Sequence, residues 1–407
     1  MDAVRRIEAR MRELLEYPDR RVGGPGNRAA TAMFAREMER AGFEVERRTF
    51  GCVDWEDGSA SLEAGGERFE VHAGRYSLPV DVCAPLVAAS KVEDLESPDV
   101  RDTVVLIHGP LAAGQLMPKN FTFYNPESHK RIIRALERYR PAAIVAATGR
   151  NPEMAGSAYP FPLFEDGDLD IPNAYLKDVD GARLLPFAGA QVRLRLDCRR
   201  IASEAEHVIA RREGDRPGRI VLTAHIDSCL GSPGALDNAS GVATLLSLAD
   251  LLADYSHGPS LEFVPFNGED NYANPGEMLW LAENDGRIGD IVAGINIDDL
   301  GMRATTSQFS FYGCPPAIES AVREVMARHP DISEGPQWFQ GDHMVLSMQG
   351  CPAIAMTSSD IAGFMRDYAH SERDAMDLLD PALAAGAASF LRDVVERISG
   401  LGSPEAE

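Results

Sequence analysis

Histidine and carboxylate side chains recur beside apolar, strand-like segments in the C-terminal half of this sequence. Imidazole nitrogen and carboxylate oxygen together suit zinc, at about 2.0–2.2 Å. Several carboxylates brought together without a cation repel one another, and some of them would have to take up protons. The candidates are His225 and Asp227 after "RIVLTA", Asp237 before a predicted helix, Glu269 and Asp270 after "SLEFVPFNG", Asp298 after "DIVAGIN", and His370 after "CPAIAMTS".

These residue types are sufficient for a centre with two metal ions. Two metals about 3.5–4 Å apart can clamp both the attacking and the leaving group of a hydrolysis. If one acid bridges, each metal receives one histidine, one terminal acid and the shared acid. Glu269 is then left over, and it is the natural general base. The predicted ligands are His225, Asp237, Asp270, Asp298 and His370.

Each group taken alone has a simpler explanation. A histidine after a strand is usually a hydrogen-bonded loop residue, an Asp-Asn pair before a helix is usually an N-cap, and Glu-Asp after a strand is usually a solvated turn. Because these histidines and carboxylates recur in the same topological position, chance is the weaker explanation for their arrangement. Asp342-His343 and Asp374 are secondary candidates, and Cys229 has no identifiable orienting partner for thiol chemistry. The sequence has no G-x-S-x-G, H-E-x-x-H or P-loop motif.

The elements that must position these groups can be predicted from the pattern. From about residue 205 onward, strand-like runs alternate with helical stretches, which predicts a mostly parallel sheet covered by helices on both faces. The helical stretch from Ser240 to Leu252, for example, places Val242, Leu245 and Ala249 on one face. Ligands of such sheets bind outside the carboxyl ends of the strands, where the candidate residues fall.

The chain is expected to contain two domains. Residues 56–195 have a different sequence pattern. Short predicted strands such as "TVVLIHG" and "AAIVAAT" lie among loops that contain proline and glycine. We therefore predict an α/β catalytic domain built from residues 1–55 and 196–407. Its central sheet would be mixed and mostly parallel, flanked by helices, and residues 56–195 would form a smaller β-rich insert.

Composition excludes several classes of partner. The net charge of −23 argues against binding to nucleic acid and to anionic membranes. No stretch approaches the roughly 20 apolar residues that span a bilayer. The charged N-terminal segment lacks the apolar core of a signal peptide, so we expect a cytoplasmic protein whose six scattered cysteines are free thiols.

The order of the motifs resembles the co-catalytic di-zinc exopeptidases, metallopeptidase family 28, which include bacterial leucine-type aminopeptidases, glutamate carboxypeptidases and non-enzymatic transferrin receptors. The resemblance covers roughly residues 205–400, and the insert resembles a protease-associated domain. The motifs are "HID" (225–227), "DNASG" (237–241), "GED" (268–270), "NIDDLG" (296–301), "GDH" (341–343) and "YAHSERD" (368–374).

The resemblance implies a role for each residue. His225, Asp298 and the bridging Asp237 would hold one zinc ion, and Asp237, Asp270 and His370 would hold the other. Asp227 would accept a hydrogen bond from His225 and fix its tautomer. Glu269 would be the general base, and the peptide bond after Asp237 would be strained. Asp270 departs from the family's usual Glu-Glu pair and is one methylene shorter, which bears on occupancy of the second site.

The expected activity is that of a zinc-dependent aminopeptidase, a hydrolase that removes N-terminal residues from peptides by means of a metal-bridged water. A carboxypeptidase or dipeptidase on the same scaffold is an alternative, with Arg303 or Arg366 as an anchor for the substrate carboxylate. A non-catalytic binding protein would be free to lose the metal ligands, and an amide-forming cyclase would use one zinc. The sequence leaves open the side-chain specificity and the oligomeric state, and a homo-oligomer is one of the alternatives.

Overall fold

The computed structural model describes residues 2–17, 19–121, 125–151, 155–271 and 274–401. These residues form two compact units. The first comprises residues 1–50, 204–363 and 370–407, and the second comprises residues 51–203 and 364–369. The sequence prediction places the boundaries at 55/56 and 195/196, and the assignment of the insert to the protease-associated type stays a prediction.

Helices and strands alternate through most of the chain. The helices are α1 (Ala3–Glu16), α2 (Pro25–Arg40), α3 (Val92–Leu95), α4 (Glu127–Tyr139), α5 (Asp178–Leu184), α6 (Gly241–Leu251), α7 (Pro275–Glu283), α8 (Pro316–Met326), α9 (His343–Ser347), α10 (Ile361–Asp367) and α11 (Pro381–Ser399). The strands are β1 (Glu44–Glu56), β2 (Ala60–Ala64), β3 (Glu67–Phe69), β4 (His72–Ala73), β5 (Val80–Ala89), β6 (Val104–Ile107), β7 (Ala143–Thr148), β8 (Asn173–Lys177), β9 (Gln191–Leu196), β10 (Arg199–Arg212), β11 (Arg219–His225), β12 (Ser260–Phe266), β13 (Ile291–Ile297), β14 (Ser307–Tyr312), β15 (Ile332–Glu334) and β16 (Ala353–Ser358).

A mixed sheet forms the centre of the first unit, with the strand order β1-β10-β12-β11-β13-β16-β14-β15. The neighbours β12, β11, β13 and β16 are parallel, whereas β10 and β14 run antiparallel to β12 and β16. Every residue of β11 is buried, as expected for a parallel strand covered on both faces. The carboxyl ends of β11, β12 and β13 therefore lie along one edge of the sheet.

Helices cover both faces of this sheet. On one face, α6 packs with α1, α2 and α11 over a core that includes Leu222, Ile295 and Phe390. Gly294 alternates with Ile295 along β13 and faces the opposite side, where a Cβ atom would come 2.3 Å from the side chain of Leu346 in α9. Glycine at this position lets α9 pack directly on the strand.

A buried ionic network fastens α7 to the sheet. The Glu262 carboxylate on β12 accepts hydrogen bonds from Arg211 Nε, Arg219 Nη1 and Trp280 Nε1, each at 3.1 Å. Arg219 also donates to Asn284 Oδ1 at 2.6 Å. Because α7 follows the loop after β12, these contacts fix the far end of that loop.

The second unit has its own mixed sheet, with the strand order β3-β2-β9-β5-β6-β7-β8-β4. Strands β5, β6, β7 and β8 are parallel neighbours, and β9 pairs antiparallel with β2 and β5. Helix α4 packs with β6 and β7 residues over a separate core that includes Ile107, Leu136 and Ile144.

The predicted mixed α/β fold class is confirmed. The strand-like runs after about residue 205 are strands, and the charged stretch "ESHKRIIRALERY" is α4. Among the described residues, no helix is both long and apolar enough to span a bilayer.

Replacing Glu262 with alanine tests the ionic network. Glu262 is 2% exposed and Arg219 6%, so the substitution would leave a buried guanidinium without its carboxylate. We expect the free energy of unfolding to fall by about 3–5 kcal/mol, measured by urea denaturation. The matched control Glu334→Ala removes a surface partner of Arg323, where exposures are 38% and 43%; it should cost at most about 1 kcal/mol. Equal losses of unfolding free energy in the two variants would show that Glu262 stabilises the fold no more than a surface partner does.

Candidate metal centre

The candidate residues meet at the carboxyl edge of the central sheet. His225 ends β11, Glu269 and Asp270 follow β12, and Asp298 follows β13. Asp237 lies in the turn Ala235–Ser240 that leads into α6. His370 lies in the loop before α11 with a φ of 58°. All belong to the first unit.

Asp237 lies at the centre of the cluster, and its two carboxylate oxygens face different partners. Oδ1 is 3.0 Å from His225 Nε2, which is also 3.3 Å from Asp298 Oδ1. Oδ2 is 3.3 Å from His370 Nε2, which is also 3.2 Å from Asp270 Oδ1. The five predicted ligands therefore form two sets of three that share Asp237. In each set the three donor atoms lie within 4.8 Å of one another.

The backbone around Asp237 is held by side chains. The Asp237-Asn238 peptide bond is cis, and it is the bond for which the resemblance implies strain. The Asn238 amide donates to Ile297 O at 2.9 Å and accepts from Gly241 N at 3.0 Å. The Asp374 carboxylate accepts the N–H groups of Leu236 at 2.7 Å and Asp237 at 3.1 Å. Asp374 thus fixes the bridging residue through its backbone.

Asp227 organises the loop that carries Glu269 and Asp270. Its carboxylate is fully buried and accepts the backbone N–H groups of Gly268 at 2.9 Å, Glu269 at 3.2 Å and Asp270 at 3.1 Å. Its nearest oxygen is 3.6 Å from His225 Nδ1, beyond hydrogen-bond distance. The hydrogen bond between Asp227 and His225 stays a prediction, and the observed contacts give Asp227 a role in shaping the loop.

Glu269 faces the same centre. A donor atom of Glu269 lies within 4.8 Å of donor atoms of His225 and Asp270. Burial, together with the charges of Asp270, Asp298 and Asp237, raises the pKa of Glu269 well above its usual range, although His225 opposes the shift. Across the part of the chain that the structure describes, sets of three such donor atoms occur only in this cluster.

The electrostatics of the cluster call for cations. Burial alone would raise the pKa of Asp237, but hydrogen bonds with His225 and His370 lower it instead. Burial raises the pKa values of Asp270 and Asp298. Burial alone would lower the pKa values of His225 and His370. Neighbouring carboxylates raise the pKa of His225, and Cys229 together with neighbouring carboxylates raises that of His370, both well above the ordinary value. Without a metal, protonation of the two imidazoles is the way in which the cluster gains positive charge.

The donor set fits two divalent cations. Each set combines one imidazole nitrogen with carboxylate oxygens from two aspartates, which suits zinc. Asp270 Oδ2 and Asp298 Oδ1 are buried without a hydrogen-bond donor among the described residues. Buried carboxylate oxygens rarely lack partners unless a water or an ion completes them. Asp270 reaches the cluster despite its shorter side chain.

Other residues near the centre were not predicted to matter. Arg20 is 1% exposed and donates to carbonyl oxygens of the loop that follows His225. Glu277 on α7 is fully buried, and neither of its carboxylate oxygens has a hydrogen-bond partner among the described residues. The sequence offers one weak signal for Glu277, an acid in the first turn of α7, which ordinarily indicates only helix stabilisation. The sequence offers no comparable signal for Arg20.

The secondary candidates lie beside the cluster. His343 is buried against the rings of Trp338 and Tyr312, and its Nε2 is 3.0 Å from Trp338 O. Burial lowers the pKa of His343 to about 4, so the imidazole is neutral. Asp342 is buried, and the neighbouring charges of Glu277 and Glu269 add to the effect of burial in raising its pKa. Neither residue belongs to a set of three donors.

The part of the sequence that carries this centre is similar to known peptidases. Residues 207–395 match the family model described as Peptidase family M28. Over 309 residues, the chain is 26% identical to a Mycobacterium tuberculosis protein described as probable lipoprotein aminopeptidase, covering 73% of this chain and 55% of that protein. It is 23% identical over 310 residues to the probable leucine aminopeptidase 2 of Aspergillus oryzae, covering 74% and 56%. The chain thus spans about half the length of these curated relatives.

Solved structures match the fold along nearly the whole chain. An aminopeptidase from Aneurinibacillus sp. strain AM-1 gives a TM-score of 0.75 at 20% identity, covering 100% of this chain and 96% of that chain. A zinc aminopeptidase from Bacillus subtilis gives a TM-score of 0.73 at 17% identity, covering 99% and 96%. At these identities the likeness establishes the fold.

The buried carboxyl of Glu277 should make the stability of the metal-free protein depend on pH. Burial raises the pKa of Glu277 to about 8, against about 4.3 in an unfolded chain. Between these values the folded chain holds more protons, so the free energy of unfolding falls as pH rises. We expect urea denaturation to show this loss from about pH 5 to about pH 8. The loss should be smaller in Glu277→Gln, because the amide has no proton to release.

The exposed Glu39→Gln is the matched control for this measurement, and its curve should follow that of the unsubstituted protein. If the Glu277→Gln and unsubstituted proteins lost stability in parallel, Glu277 would not be the group that titrates.

Proposed function

Because residues 207–395 match the model of Peptidase family M28, we propose that this chain is a zinc-dependent exopeptidase that removes N-terminal residues from peptides. The observation that carries the proposal is that the two carboxylate oxygens of Asp237 face different sets of ligands. One oxygen faces His225 and Asp298, and the other faces His370 and Asp270. Such an arrangement suits a pair of zinc ions bridged by one acid. The aminopeptidase names of the relatives agree with this activity.

The ligand residues differ in exposure, which indicates where a substrate enters. The side chain of His370 is 21% exposed, whereas that of His225 is 1% exposed. Asp237 and Asp298 lie between them at 10% and 7%. A peptide would therefore approach the centre from the side of His370, with His225 forming the closed back of the site.

Glu269 is proposed as the general base. One of its carboxylate oxygens lies within 4.8 Å of ligand atoms of His225 and Asp270, one residue from each donor set. Zinc bound there would polarise the scissile carbonyl and lower the pKa of the attacking water. Glu269 would take the proton of that water and pass it to the leaving amine nitrogen. Burial raises the pKa of Glu269, which favours proton uptake by this carboxylate.

Charge around the centre favours the amino end of a substrate over the carboxyl end. Asp270 would be neutralised by the zinc ion that it is proposed to hold, whereas the carboxylate of Glu269, which is not a proposed ligand, would attract a protonated α-amine and repel a substrate carboxylate. The two arginines that were candidates for a carboxylate anchor are both engaged elsewhere. Arg303 donates to the carbonyl oxygens of Asp377 and Leu379, and Arg366 pairs with Asp367 at 2.6 Å.

Substituting Glu269 with glutamine tests the assignment of the base. The amide keeps the size of the side chain but cannot accept the proton, so kcat should fall by a factor of about 10²–10⁴. Metal analysis of the same preparation should still find two zinc ions per chain. The exposed Glu39→Gln should retain normal turnover. A Glu269→Gln protein with near-normal kcat would refute the assignment, and one zinc ion per chain would favour cyclase-like chemistry.

A panel of dipeptides tests the choice of peptide end. Free dipeptides and their N-acetylated counterparts should be compared at equal concentration, because acetylation removes the positive charge that the acidic centre would bind. We expect hydrolysis of the free dipeptides and a loss of kcat/KM of at least about tenfold on acetylation, which corresponds to about 1.4 kcal/mol of transition-state stabilisation. Efficient cleavage of N-acetylated substrates with a free carboxylate would overturn the aminopeptidase proposal.

A further inference from the structure

Residues 20–27 lie far from the metal centre in sequence and outside the segment 207–395 that matches the family. Two polar side chains of this segment, Arg20 and Asn27, are nonetheless 1% and 0% exposed. Burying an arginine and an amide is costly unless their hydrogen bonds are satisfied. Their partners are the loops that carry the proposed zinc ligands and the proposed base.

Arg20 fixes the loop between His225 and Asp237. Its Nε donates to Ile226 O at 3.2 Å, and its two terminal nitrogens donate to Pro233 O and Gly234 O at 2.8 Å each. The rigid guanidinium fork therefore ties both ends of this loop to one point. The approach is close, because a Cβ atom at Gly234 would come 2.7 Å from Arg20 Nη2.

Asn27 fixes the end of β12. Its Nδ2 donates to Asn267 Oδ1 at 2.7 Å, and Asn267 Nδ2 donates back to Asn27 Oδ1 at 3.2 Å. Asn27 Nδ2 also donates to Arg20 O at 2.9 Å, which joins the two anchors. Asn267 stands two residues before Glu269, so the amide pair holds the start of the loop that carries Glu269 and Asp270.

We propose that Arg20 and Asn27 are positioning residues for the metal centre, and that the N-terminal segment holds the loops of His225, Asp237, Glu269 and Asp270 at the spacing that two zinc ions require. The inference rests on the proposed function. Neither residue is a ligand, and each acts through backbone or amide groups next to the residues that touch the metals or the substrate.

The direction of the change in zinc affinity distinguishes a positioning role of Arg20 from an effect of its charge. Arg20 carries a positive charge that interacts with the carboxylates of Asp374, Asp227, Asp237 and Asp270. Removing that charge alone should strengthen zinc binding, because a cation near the site opposes a second cation. Losing the three hydrogen bonds should weaken zinc binding, because the ligands would no longer be held together. Removing a residue that orients metal ligands typically costs about 10- to 100-fold in affinity.

The test is a competition titration of zinc into metal-free protein in the presence of a chelator. We expect Arg20→Met to bind zinc about 10- to 100-fold more weakly than the unsubstituted protein. Arg20→Lys keeps the charge but cannot span carbonyl groups at both ends of the loop, so it should also bind more weakly. Asn27→Ala should weaken binding through the loop of Asp270. The surface control Arg36→Met removes a 57% exposed arginine paired with Glu13, and it should leave zinc affinity unchanged.

Thermal unfolding of each metal-free variant shows whether it is folded at the temperature of the titration. If Arg20→Met does not fold, Arg20→Lys and Asn27→Ala still test the proposal. Folded variants that bind zinc with unchanged or higher affinity would overturn this inference while leaving the proposed function intact. An unsubstituted protein that binds no zinc would overturn both.

Discussion

The structure depends on one electrostatic constraint, the burial of many carboxylates around Asp237. Like charges at this distance cannot all persist in a protein interior without compensation. In the metal-free chain the carboxylates favour protonation of the imidazoles, because the pKa values of His225 and His370 are raised. A pair of divalent cations would meet the constraint more completely. The proposed chemistry involves the same residues as this electrostatic requirement. The carboxylates and imidazoles that need compensating cations would hold the metal ions that act on a carbonyl and a water.

Hydrogen bonds to backbone groups keep these charges in place. Asp227 accepts hydrogen bonds from the backbone N–H groups of the loop after β12, and Asp374 accepts those of Leu236 and Asp237. Each of these acids accepts hydrogen bonds from at least two backbone N–H groups, which offsets part of the cost of its burial. The side chains that face the proposed metals are thereby carried on loops whose backbones cannot easily shift. Rigid loops of this kind suit a site that must keep two cations at fixed separation.

The sequence predicts the fold class and the members of the cluster because both follow local rules. Apolar runs followed at once by acids or histidines mark strand ends, and parallel strand ends share an edge. Short strands without this signature escape such an analysis, as with β14 at the far side of the sheet. The contacts of Arg20 also escape it, because they join residues 206 and more positions apart. No local pattern distinguishes an arginine that binds a distant loop from one that faces solvent.

These long-range contacts also bear on where the functional unit begins. The family match starts at residue 207, yet the loop after His225 is fastened by Arg20 and the end of β12 by Asn27. Helix α1 packs with α6 and α11, and α2 also packs with α6. The N-terminal helices are therefore part of the same core as the strands that present the ligands. A segment cut at the boundary of the family match would keep all five proposed ligands and lose the side chains that hold their loops together.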